Sequence, residues 1–214
     1  MLSISVPKFV WVIIMIKNKD DLKYYLLCDK VALGVSEKRL CPIPIIDVIW
    51  KFEILMRKCE YYNNRTNDML TKLLKNIYYI RYKNLSRKLG FSIGLNVFGP
   101  GLSIAHYGCI VVNSNARIGR NCRIQEGVTI GTTNGQSEAA VIGDNCFLGS
   151  GAKIIGSISL GDNVAVGAGA VVVKSFTENN ISLAGVPAKI VSYNGSGSNT
   201  VLATDMVSKR IGKK

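Results

Sequence analysis

The stretch IGDNCFLGSGAKIIGSISLGDNVAVGAGAVVV, residues 142–173, decides the fold. Every sixth residue in it is aliphatic: Ile142, Leu148, Ile154, Leu160, Val166 and Val172. A second column, four residues after the first, is small or aliphatic: Cys146, Ala152, Ile158, Val164 and Ala170. Toward the N-terminus the two columns continue through Val112, Ile118, Ile124 and Ile130, and through Ala116, Cys122 and Val128. A glycine follows the first column at Gly119, Gly131, Gly143, Gly149, Gly161 and Gly167, where a tight bend between short strands benefits from positive φ. This period predicts a parallel β-helix, in which each short strand buries its side chain only by stacking on the next coil. Cys122 and Cys146 fall in the second column and read as small buried thiols.

The repeat is broken at GTTNGQSEAAV, residues 131–141, yet its phase survives, because Ile130 and Ile142 are two periods apart. A polar segment that leaves a solenoid without disturbing its register predicts an excursion loop.

Before the repeat the period is helical. Ile45, Val48, Ile49, Phe52, Leu55, Met56, Cys59 and Tyr62 recur at three-to-four spacing, with Pro42 and Pro44 marking the start. A second segment sets Leu70, Leu73, Leu74, Ile77 and Ile80 on one side and Lys72, Lys75, Arg81, Lys83, Arg87 and Lys88 elsewhere, until Gly90 stops it. A shorter helix is expected around Leu22 to Cys28. The fold class expected is mainly β: an N-terminal helical region over 1–90, a β-helix over 91–191 and a flexible basic tail over 192–214.

The chain carries 27 Lys+Arg against 14 Asp+Glu, a net +13, of which +9 lies in residues 1–90 and +4 in 91–214. Such an excess suits solvated helix faces, an anionic ligand or peripheral contact with an anionic membrane face. The run YYIRYK, residues 78–83, spaces its aromatics as a helix packs them, and no nucleic-acid motif surrounds it, so no nucleic-acid partner is expected. Six scattered cysteines with no CxxC pair and a single histidine point to neither a metal site nor disulfides. The apolar run FVWVIIMI, residues 9–16, is too short to span a bilayer, and a cytoplasmic protein is expected. Met15 reads as a natural start within that leader.

Three stretches, GLSIAHYGCIVVNSNARIGRNCRIQEGVTIGTT, the later hexads and the closing AGVPAKIV, resemble the hexapeptide-repeat acyltransferases. Within them the likeness is greatest to the serine acetyltransferase branch and its relatives in surface-polysaccharide clusters. It covers roughly Phe91 to Val191, with the helical region like a shortened form of that branch's N-terminal helices. The resemblance implies a left-handed β-helix, homotrimers, and acetyl-coenzyme A bound between subunits. It implies pantetheine along the coil edges near Ala152 and Ala170, with Lys153, Lys174 and Lys189 as candidate partners for the coenzyme phosphates.

His106 is the sole histidine and has two readings. A strict hexad count back from Val112 lands on it, which makes it a buried core residue. The stretch FGPG before it is not hexad-like, so the strict phase need not hold there, and the resemblance makes His106 the general base, the reading expected here, since the family's catalytic histidine lies in the same segment and histidine suits base chemistry at neutral pH. Gly131 and Thr132, at the base of the loop, are oxyanion-hole candidates.

The acceptor is read from departures. Serine acetyltransferases have an acid immediately before the histidine, where this chain has Ala105, and a second histidine in the loop, where it has SEAAVI around Ala139. A buried ammonium without a carboxylate is costly, so serine needs Glu138 or another acid. The expectation is therefore O-acetylation of a sugar or surface glycan, with Asn113, Asn134, Gln136, Ser137 and Glu138 as acceptor-binding candidates. Serine O-acetyltransfer for cysteine biosynthesis is the alternative, and a non-catalytic β-helix scaffold the third reading.

Overall fold

The computed structural model describes residues 15–36, 38–65, 68–133 and 137–211. Three helices come first: α1 (Lys19–Ala32), α2 (Val48–Asn63) and α3 (Met69–Leu89). Asn18 caps α1 in a reciprocal box with Asp21, Asp68 caps α3 through Thr71 N, and Gly90 ends α3 at φ 76°. The chain then winds into coils. The first holds β1 (Phe91–Ile93), a bridge at Phe98 and β2 (Ser103–Ile104). The second holds β3 (Ile110–Val112), β4 (Arg117–Ile118) and β5 (Arg123–Ile124), and the third β6 (Thr129–Gly131), β7 (Val141–Ile142) and β8 (Phe147–Leu148). The fourth holds β9 (Lys153–Ile155), β10 (Ser159–Leu160) and β11 (Ala165–Val166). The last holds β12 (Val171–Val172), a bridge at Phe176 and β13 (Ser182–Gly185), before β14 (Ala188–Ser192) turns back antiparallel.

Corresponding strands stack into three parallel walls, β1-β3-β6-β9-β12, β4-β7-β10 and β2-β5-β8-β11-β13, and the whole is a left-handed parallel β-helix. Both sequence columns line its interior: every member of each is buried. Burying each aliphatic side chain contributes about 1.5–3 kcal/mol, and no strand could bury its own alone. Burial pushes the Cys146 thiol up to about 12 and Cys122 well above its ordinary value, as suits inert core thiols.

The glycines after the first column act differently from expectation. None of the six takes positive φ; left-handed backbone falls instead on Asn121, Asn145 and Asn163 at one corner and on Gly127, Gly151 and Gly169 at another. Gly149 is needed because coils approach closely, with a Cβ there only 2.8 Å from Ala168 N. The three asparagines form a side-chain ladder, Asn121 Nδ2 donating to Asn145 Oδ1 (2.8 Å) and Asn145 Nδ2 to Asn163 Oδ1 (2.9 Å).

Two further expectations change. Residues 203–211 of the tail expected to be flexible form α4 (Ala203–Ile211), which buries Ala203, Thr204 and Val207. Asn121 pins α4 by exchanging hydrogen bonds with Thr204. The apolar side of α3 seen in the sequence is not its packed side. Thr71, Tyr82, Ser86 and Leu89 are buried, whereas Leu70, Leu73, Ile77 and Ile80 are exposed. Tyr82 Oη donates to Ile93 O at 2.6 Å, and Phe52 packs edge-on against Phe91, so Tyr82 and Phe52, with Leu55 and Leu89, dock this region on β1 while Leu70 and Leu73 stay outside.

A buried ionic knot completes the docking. Arg57 of α2 donates to Asp29 of α1 (2.7 Å) and Glu60 (3.0 Å), and to the carbonyls of Phe98 (2.9 Å) and Gly99 (2.7 Å) in the first coil. Asp29 Oδ1 in turn accepts from Gly101 N and Leu102 N. Burial opposes the Arg57 charge, and the Asp29 and Glu60 carboxylates outweigh it, so its pKa is raised.

Candidate active site

His106 is exposed and therefore no core filler. The strand pairing explains why the hexad count misplaces it. Ile104 pairs with Ile124 and Val112 with Ile130, so eight residues link the first pair of core positions where six link the next. The two extra residues swing AHYGC outward, with Ile104 taking the core position and His106, Tyr107 and Cys109 reaching solvent.

The bulge is pinned at both ends by the helices. Ile104 N donates to Glu53 Oε1 of α2 (3.2 Å), while Gly108 N donates to Leu89 O (3.0 Å) and Ile110 N to Gly90 O (3.1 Å) at the end of α3. Glu53 is fully buried, its Oε2 has no partner among the described residues, and burial followed by the nearby Asp29 raises its pKa well above the carboxylate range.

Sequence reasoning missed Glu126. It sits one coil beyond the bulge, and a side chain at Gly108 would come within 3.1 Å of its Cβ. Its carboxylate accepts from Ser150 Oγ, and the Ser150 hydrogen bond, with His106 as a lesser electrostatic contributor, holds its pKa below the ordinary value. Its Oε2 is buried without a partner among the described residues, leaving an acceptor for an incoming donor. No single-chain pattern marks Glu126, because its position depends on a two-residue bulge a coil away.

The other candidates divide by corner. Ala152 and Ala170 lie on the same edge as His106, but both are buried and their backbone groups are bonded within the coils. The open positions on that edge are their neighbours: Gly169 is exposed, and a Cβ there would meet nothing within 4 Å. Lys153 Nζ is held by Gly127 O (2.6 Å) and Thr129 Oγ1 (3.0 Å), whereas Lys174 and Lys189 are exposed.

The loop opens at the next corner, between β6 and β7, so one chain does not bring Gly131, Thr132, Ser137 or Glu138 to the His106 edge. Asn113 Oδ1 accepts from Asn115 N, Ser137 O from Asn115 Nδ2 and Glu138 Oε2 from Ser157 Oγ. Asn134 and Gln136 lie outside the described residues. The loop itself is a six-residue insertion, since Ile118 and Ile142 are 24 apart where Ile142 and Leu160 are 18 apart, and Ala139 and Ala140 are already buried.

Residues 140–174 match the family described as the hexapeptide repeat of succinyl-transferase. A serine acetyltransferase of Staphylococcus epidermidis is 33% identical over 131 residues, 58% of this chain and 61% of that protein. The chain thus spans less than two thirds of that relative. A serine acetyltransferase of Neisseria gonorrhoeae, solved in complex with serine, has a TM-score of 0.54 at 26% identity and covers 79% of this chain and 67% of its own. One of Brucella abortus, in complex with coenzyme A, has a TM-score of 0.58 at 24% identity over 82% of this chain and 69% of its own, a likeness of fold. These relatives overturn the expectation of a sugar or surface-glycan acceptor, which rested on Ala105 and the histidine-free loop and did not see Glu126. The chain thus carries a hexapeptide-repeat segment at residues 140–174 and is similar, over 131 residues, to serine acetyltransferases.

Proposed function

We propose that this chain is an acetyl-coenzyme A-dependent serine O-acetyltransferase of cysteine biosynthesis. The observation that carries the reading is exposed His106 on the bulge, with Glu126 against Gly108 of that bulge on the next coil, in a chain whose relatives are serine acetyltransferases. Glu126 answers the difficulty posed by Ala105: a carboxylate from the next coil receives the serine ammonium in place of an acid beside the histidine.

His106 accepts the serine hydroxyl proton as the hydroxyl oxygen attacks the acetyl carbonyl, and returns it to the departing sulfur as the C–S bond breaks. The co-substrate, when bound, supplies an acetyl group already activated as a thioester. The open backbone at Gly169 leaves room for its pantetheine arm, and Lys174 and Lys189 are available to its phosphates. The working unit is a homotrimer, in which the loop of one subunit, with Gly131, Thr132, Ser137 and Glu138, faces the His106 edge of the next and supplies the oxyanion donors.

Thiol release from acetyl-coenzyme A with L-serine tests the reading. The expected kcat/KM for serine is about 10⁴ M⁻¹s⁻¹ or above. His106→Asn lowers kcat about a hundredfold or more. Glu126→Gln raises the serine KM about tenfold, as loss of a charge-assisted contact should, with the coenzyme KM unchanged. Thiol release that serine does not accelerate overturns the proposal. Light scattering checks the trimer, and an active monomer removes the shared site.

A further inference from the structure

Helix α3 packs one side on the protein and leaves its apolar stripe outside. Thr71, Tyr82, Ser86 and Leu89 face the protein. Across the helix, Leu70, Leu73, Ile77 and Ile80 are 65%, 57%, 42% and 59% exposed, and Met69 beside them 90%. At 100° per residue these five span about a quarter of the circumference, a continuous stripe rather than scattered apolar residues.

The flanks of the stripe are basic. Arg81 and Lys88 border one side, Lys72 and Lys83 the other, and Arg87 lies just past the stripe; with Lys75, which is turned toward Cys59 and Leu95, the helix carries six cations and no acid between Met69 and Leu89. None of the six is ion-paired with another described residue. Near Tyr78 and Arg81 a groove also lined by Lys51 and Lys58 adjoins Pro42 and Pro44, and in that loop Leu40, Ile45 and Ile46 are mostly exposed. More apolar surface thus lies beside the same basic rim.

We infer that this outer face of α3 seats the protein on an anionic lipid bilayer. The charge selects the occupant. A second copy of the face would bring its own five cations and no anion against these, which opposes self-pairing. An acidic headgroup layer over hydrocarbon satisfies both parts at once: the flanking lysines and arginines meet headgroups, and the stripe enters the acyl boundary. Among the described residues no helix is long and apolar enough to cross a membrane, so α3 lies on the surface. This inference is independent of the acceptor.

Co-sedimentation of the full chain with phosphatidylcholine vesicles, with and without a third phosphatidylglycerol, tests it. Binding is expected to the anionic vesicles alone and to weaken steeply with salt. Lys72→Gln, Arg81→Gln and Lys83→Gln, singly and together, lower the partition coefficient about fivefold per charge removed. The combination Leu73→Gln, Ile77→Gln and Ile80→Gln abolishes binding; all three side chains are exposed, and unchanged circular dichroism confirms that the variant folds. No binding by the unaltered chain at low salt overturns the inference, and so does binding that these substitutions leave intact. An apolar triple variant whose assembly mass falls in light scattering, with no vesicle binding by the parent, assigns the face to a second copy instead.

Discussion

In the β-helix, Ile130 meets Val112 on the coil before and Ile154 on the coil after, and the same contact recurs along every wall. In the helical region, Arg57 meets Asp29 from another helix, Glu60 from its own turn and two carbonyls from the first coil, and nothing repeats. The first arrangement spreads its stability over many equivalent neighbours; the second concentrates it in one buried cation. The two regions should therefore respond differently to a single substitution. They meet at the site, because Glu53, Leu89 and Gly90 hold the backbone on both sides of His106.

The largest effect is expected at the knot. Arg57→Met leaves Asp29 and Glu60 buried without their cation and should cost about 3–5 kcal/mol in chemical denaturation. A loss under 1 kcal/mol would show that the helices dock by their aromatics alone. Next comes Ile130→Ala, a single cavity between coils, at about 3 kcal/mol in the same measurement. If it costs more than Arg57→Met, the contrast between spread and concentrated stability fails. Gly149→Ala follows at about 2 kcal/mol, since its Cβ meets backbone 2.8 Å away, and thermal unfolding should register it.

Glu53→Gln is the smallest and the most pointed. The folded pKa of Glu53 is raised by burial, so its contribution is fully present below the unfolded carboxylate value of about 4.3 and is lost as pH rises toward the folded value. The glutamine variant removes that loss. Its stability should fall less than the parent's between acidic and neutral pH, and at neutral pH it should equal or exceed the parent by up to about 1 kcal/mol. Parallel stability curves would mean that Glu53 is ionised in the fold.

How much could be read in advance differs between the regions for the same reason. The hexad columns were legible residue by residue, because a solenoid buries each strand against its neighbour at a fixed sequence interval. Wherever that interval changes, the reading slips. The two-residue bulge moved His106 from a counted core position to the surface, and the six-residue insertion kept phase and so was recognised as a loop. The glycines after the first column carry a reason that the repeat does not show: at Gly119, Gly143, Gly149 and Gly161 the backbone of an adjoining coil excludes a side chain, which no pattern along one coil reveals.

Local pattern by itself determined that the first third is helical, the stop of α3 at Gly90, and the two columns that fill the β-helix, since propensity, capping and a fixed period act over a few residues; the start of α2 at Val48, past Pro42, Pro44 and Ile45, was not among them. Only the tertiary structure decided which side of α3 packs, that the tail docks through Asn121, and that Glu126 lies against Gly108 of the bulge that carries His106. Each of these depends on residues far apart in the chain arriving at one place. An amphipathic helix carries its stripe whichever way it is turned; here the hydroxyl of Tyr82 and the ring of Phe52 close on the first coil, and Leu70, Leu73, Ile77 and Ile80 face outward.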